Sequence, residues 1–113
     1  MLGDLTTLVQ PAGFTSWTRE HIFNGPAAYK RLMFMVQDTI HEPCYDAFLK
    51  AQEWKGEDVI LRAGIGGTPL HTIMIGWMNV EVFAIEWAER RDEILELYDA
   101  MADQQRSLFP LIA

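Results

Sequence analysis

The run Gly64-Ile-Gly-Gly-Thr-Pro-Leu-His71 gathers the residue types that a ligand site at a helix start needs. Gly64, Gly66 and Gly67 let the backbone turn sharply or approach a ligand closely, because no Cβ stands in the way. Thr68 and Pro69 read as the cap and first residue of a helix. A threonine hydroxyl accepts a free backbone N–H of the first turn, and a proline there loses nothing by lacking its own. The remaining free N–H groups can hold an anion. His71, in the first helical turn, can donate from a neutral imidazole to a carboxylate or an oxyanion. The spacing departs from the known phosphate fingerprints: Pro69 takes the third place of Gly-x-Gly-x-x-Gly, and no Gly-Lys-Ser/Thr follows. A tight connection from strand to helix accounts for the same residues without a ligand, and the residue types alone favour it.

The other chemistry-bearing residues point less firmly to a site. His41-Glu-Pro-Cys44 has a spacing that supplies two metal ligands, whereas zinc takes three or four, and no further ligands are evident. Cys44 reads as an ordinary buried thiol. Trp17, Trp54, Trp77 and Trp87, with six methionines, sit among apolar residues at helical spacing and read as core. Glu86, Glu89, Asp92, Glu93 and Glu96 read as a solvated helix face rather than paired catalytic carboxylates. No serine, histidine and acid stand around a nucleophile elbow. The candidate substrate-binding set is therefore Gly64, Gly66, Gly67, Thr68 and His71, with no catalytic residue or metal ligand assigned.

The elements that must position this set can be read from periodicity and breakers. Val59, Ile60 and Leu61 form an apolar run suited to a strand covered on both faces, so residues 58–63 are expected as one buried strand ahead of the glycine turn. Residues 4–18 are rich in β-branched types around Pro11 and Gly13, which predicts a hairpin or two extended segments. Pro26 opens a helix whose stripe is Tyr29, Leu32, Met33 and Val36. A second helix runs from Glu42-Pro43 to near Gly56, with Tyr45, Phe48, Leu49 and Trp54 on its apolar face. Leu70, Ile73, Met74 and Trp77 mark a third, and Asn79 caps a fourth carrying Val80, Phe83, Ala84 and Trp87. The last starts at Asp92, where acidic residues suit the helix dipole, and Pro110 should fray or end it. Residues 26–113 are thus expected as helices around the strand, and the class as α/β, predominantly helical, in one segment 1–113.

Composition limits the partners. The formal charge is −7, and residues 57–113 hold ten acidic against four basic side chains. An acidic surface repels phosphate backbones and anionic headgroups, which disfavours nucleic acid and membrane surfaces. One cysteine excludes an internal disulfide, and no apolar run approaches the ~20 residues of a membrane span. With no secretory pattern at the N-terminus, a cytoplasmic location is expected.

Gly64-Ile-Gly-Gly-Thr-Pro-Leu-His-Thr-Ile-Met-Ile75, then Gly76 and a helix near Arg91-Asp92-Glu93-Ile94-Leu95, resembles the uroporphyrinogen decarboxylase family. Asp4 to Phe14 is similar to an extended stretch of its divergent members, and Asn24 to Met33 to the segment before their first long helix. The resemblance implies a middle fragment of a (β/α)8 TIM barrel, which as a whole needs about 250 residues. It also implies a parent that binds a small-molecule substrate and either decarboxylates a porphyrinogen or moves methyl groups between corrinoids and thiols. A corrinoid or zinc would belong to that longer parent, with no cofactor in this chain. Ile75 stands where the decarboxylases have a tyrosine, and their arginine-rich motif and later histidine are not found. The methyltransferases' zinc-binding histidine and cysteines are missing as well. A fragment would be inactive alone, would expose apolar helix faces, and is expected to form homo-oligomers. Two other classes stand beside this one: a free-standing helical interaction or dimerisation module using Trp77, Phe83 or Trp87, and a small anion-binding domain using the glycine turn.

Overall fold

A computed structural model describes residues 3–112. Strands β1 (Leu8–Ala12) and β2 (Thr15–Glu20) pair antiparallel across a two-residue turn, with Ala12 opposite Thr15, Gln10 opposite Trp17 and Val9 opposite Thr18. Gly13, at φ 63°, takes the first central position of that turn. A positive φ there matches the twist of the strands, and glycine adopts it without a Cβ penalty. The expected hairpin is present, and every residue of both strands is exposed.

Helix α1 (Ala28–Asp38) follows Gly25-Pro26 and buries Ala28, Tyr29, Leu32 and Val36, close to the predicted stripe. Helix α2 (Asp46–Lys55) ends on Gly56 at φ 71°, whose N–H donates to the Gln52 carbonyl, and buries nothing. Helix α3 (Pro69–His71) widens without a break into a π-helical segment, Thr72–Trp77. Helix α4 (Val80–Glu89) starts on the Asn79 side chain, which accepts the Val82 N–H at 2.8 Å as its cap position predicts. Helix α5 (Arg91–Ile112) runs through Pro110 instead of ending there. The proline gives up the N–H bond to the Arg106 carbonyl and crowds it, but with only two helical residues beyond it the disturbance stays in the last turn.

The core is small: Phe23, Ala28, Tyr29, Leu32, Val36, Ile73, Met78, Ile94 and Leu97. It lies where α1 crosses α5, closed by the π-helical segment and the start of α4. The segment after the hairpin is pinned to it, because the Phe23 N–H donates to the Trp77 carbonyl at 3.0 Å. That carbonyl stands at a helix end, where it lacks an intrahelical donor.

The expected α/β class is corrected here. Residues 58–63 form no strand, and Ile60 is 96% exposed. An apolar run becomes a strand only where neighbouring strands accept and donate its backbone hydrogen bonds. Among the described residues the only sheet is the two-stranded hairpin, so no parallel strand leads into the glycine turn and no (β/α)8 barrel is shown. Among the described residues the fold is five helices, of which α2 packs on none of the core, a π-helical segment and an antiparallel hairpin.

Candidate functional site at the glycine turn

The glycine turn keeps its local design without the strand. Thr68 has the extended backbone of a cap, its hydroxyl accepts the His71 N–H at 3.3 Å, and Pro69 fills the first helical position. Gly66 sits at φ 79°, a conformation that side-chain-bearing residues rarely adopt. Gly67 serves a different need. A Cβ built on it would lie 3.2 Å from Cδ2 of His71, so the imidazole rests over the turn itself. From α5, the Gln105 side-chain amide donates to the Gly67 carbonyl at 3.2 Å and ties the turn to the helix bundle.

Gly66 and Gly67 help to wall a groove of about 250 Å³. Its other sides come from Val36 and His41, from Pro69 and Thr72 of the helix that follows the turn, and from Trp77, Met101 and Leu108. The lining is mainly apolar and includes no lysine or arginine. Such a groove suits an apolar or aromatic group and offers no cation to clamp a carboxylate or phosphate. Gly64, Thr68 and His71 lie outside the lining and are exposed. The predicted set is therefore one continuous turn, of which two glycines face the groove.

The other candidates separate. His41 reaches the groove rim, while Cys44 is exposed and not the buried thiol expected. Among the described residues, no group of three or more histidine, cysteine or acidic side chains is placed to hold a metal. Trp77, Phe83 and Trp87 pack against the core, with Phe83 and Trp87 stacked at 5.8 Å between ring centroids. The fully or mostly exposed tryptophans are instead Trp17 and Trp54.

Sequence reasoning missed one polar cluster. Glu86, expected on a solvated face, is buried. Its Oε2 accepts the Tyr29 hydroxyl at 2.8 Å and its Oε1 pairs with Arg90 Nη1 at 3.0 Å. Burial, and next the hydrogen bond to the carboxylate, push the Tyr29 phenol well above its ordinary range. The spacing of Glu86 and Arg90, four apart on one helix face, was the available signal.

No protein-family model, curated protein or solved structure matches this chain. Among the described residues no helix is long and apolar enough to cross a membrane.

Proposed function

We propose that this chain is an interaction module, a small helical body whose apolar segments are covered by another protein surface. The observation that carries the proposal is its accessible area of 8749 Å² for 13.0 kDa. A compact monomer of that mass exposes roughly 6,300 Å², so about 2,400 Å² is in excess. Standard interfaces bury about 800 Å² on each partner and obligate ones more, so the excess is ample for a stable association. The radius of gyration, 17.3 Å against about 13 Å for a compact chain of this length, supports the same reading. Part of it lies on large apolar side chains, among them Phe48, Leu49 and Trp54 of α2, Val59 and Ile60 after it, and Trp17 of the hairpin. Light scattering combined with binding of an apolar fluorescent dye tests the proposal. Association, or strong dye binding by the isolated chain, is expected; a monomer that binds no dye overturns it.

A second reading is favoured by the groove. On the resemblance to the uroporphyrinogen decarboxylase family, we propose decarboxylation or methyl transfer on a small molecule held beside Gly66 and Gly67, once other protein surface completes the site. Gly64, Thr68 and His71 would meet the substrate's exposed side. The apolar lining with Trp77 beside the turn supports contact with the apolar part of a substrate, and its carboxylates would have to be held by the completing surface. Titration with a porphyrin should quench Trp77 fluorescence, an effect lost in Trp77→Phe; no quenching beyond that variant's overturns the reading.

A further inference from the structure

The hairpin leaves a strand edge free for this association, and the inference rests on the interaction-module reading. Pro11 lies opposite Ser16. Proline has no N–H, so this is a pair whose backbone groups face away from the opposite strand. By the alternation of an antiparallel ladder, Gln10 with Trp17 and Ala12 with Thr15 are the pairs that exchange hydrogen bonds. The N–H and C=O of Ser16 and Thr18 therefore point outward from β2. The register irregularity lies between Leu8 and Val9, beyond this stretch.

The two edges of the hairpin consequently differ. The outer edge of β1 lacks a donor at Pro11 and carries its ring, which blunts pairing. The outer edge of β2 has no proline from Thr15 to Glu20, and all six residues are exposed. A two-stranded hairpin is marginal in water by itself, and a third and fourth strand remove that weakness.

We propose that two copies of this chain pair antiparallel through their β2 edges, forming a four-stranded sheet with its two-fold axis at Trp17. The outward groups fix the register. Ser16 must face an outward residue of the second copy, and using both outward residues sets Ser16 against Thr18 and Trp17 against Trp17. Thr15 then meets Arg19, and no like charges stand opposite. The Trp17 pair falls at a position without mutual hydrogen bonds, where Cα atoms approach to about 4.5 Å and aromatic pairs contribute most. In one copy Trp17 is 60% exposed, with the Arg19 guanidinium 5.3 Å from its ring centroid. Charge permits the arrangement. Residues 8–20 carry one arginine and one glutamate, whereas eight of the sixteen acidic side chains fall within residues 81–103.

Sedimentation mass and disulfide trapping, on the full chain with Cys44→Ala as background, test the pairing. The background chain should sediment at twice 13.0 kDa. Thr18→Pro, which removes an outward N–H but none that β1 uses, should sediment as a monomer with its helical circular dichroism unchanged. Trp17→Cys should form a covalent dimer on mild oxidation, because Cα atoms that close lie within disulfide reach, and Phe14→Cys at the turn should not. A Thr18→Pro chain that stays dimeric, or Phe14→Cys that crosslinks as fast as Trp17→Cys, overturns the β2 pairing. A monomeric background chain that still binds apolar dye also overturns it, while leaving association with a different protein standing. A monomer that binds no dye overturns both.

Discussion

The Tyr29 hydroxyl donates to Glu86 across 57 positions of sequence and joins α1 to α4 inside the core. Phenol and carboxylate are both withdrawn from water there, so each depends on the other to satisfy its hydrogen-bonding groups. Removing the hydroxyl in Tyr29→Phe should cost about 1 kcal/mol at neutral pH. The pH dependence follows from the raised folded-state pKa. Between the unfolded value of 10.0 and the higher folded one, the folded chain holds the proton that the unfolded chain has released. Stability from this group is therefore full below pH 10 and falls as pH rises above it. Denaturant midpoints between pH 8 and 11 should show this alkaline loss in the natural chain and a flatter profile in Tyr29→Phe.

Glu86 holds two partners of unequal burial, since Tyr29 is 7% exposed and the Arg90 side chain 32%. Arg90→Ala should lower the unfolding midpoint less than Glu86→Ala does, because water screens the Arg90 end of the pair. Glu86→Ala should cost about 2–3 kcal/mol, because it strands the buried Tyr29 hydroxyl and opens a gap. A double-mutant cycle of Tyr29→Phe with Glu86→Ala should then show strong coupling, read as non-additive shifts in unfolding midpoint. Additive shifts would mean that the two groups touch without depending on one another.

Legibility in the sequence followed the range of the forces involved. The caps at Thr68 and Asn79, the turn at Gly13 and the stop at Gly56 were readable because each depends on one or two neighbouring residues. The stripe Tyr29, Leu32 and Val36 was readable because an amphipathic helix announces its buried face by period. Val59-Ile-Leu61 misled because an apolar run states only that burial would be favourable, and its strand needed partners that the fold does not provide. Glu86 misled because its side chain, ordinary for a surface helix, reaches Tyr29 only because α5 packs against both α1 and α4. At the candidate site the sequence indicated the turn but not its wall, since Gln105, Met101 and Leu108 arrive from α5.

The glycines of the turn should respond unequally to alanine. Gly66→Ala forces a left-handed backbone at φ 79° on a residue with a Cβ, at a cost of roughly 1–2 kcal/mol. Gly64→Ala meets nothing within 4 Å and needs no positive φ, so it should stay within about 0.5 kcal/mol of the natural chain. Gly67→Ala crowds the His71 ring, and adding His71→Ala should recover most of its loss. Thermal unfolding of these four variants separates backbone strain from side-chain crowding. Equal losses at Gly64 and Gly66 would contradict the strain assignment.

Helix α2 should behave as an element that the isolated fold does not hold. It buries no residue, and its one specific tether beyond its own neighbourhood is the Tyr45 hydroxyl donating to the Leu111 carbonyl at 2.6 Å. A ten-residue helix without tertiary packing is marginal in water. Its amides should therefore exchange with solvent at protection near that of local opening, while those of α1 and α5 exchange only through global unfolding. Trp54→Gln should change stability by less than about 0.5 kcal/mol, whereas Leu32→Ala, at a fully buried position, should cost about 2–5 kcal/mol. If covering α2 is the purpose of its exposed apolar face, protection of residues 46–55 should rise with protein concentration or on adding the binding partner. Protection that matches α1 in the dilute isolated chain would mean that α2 is already held by contacts within its own fold.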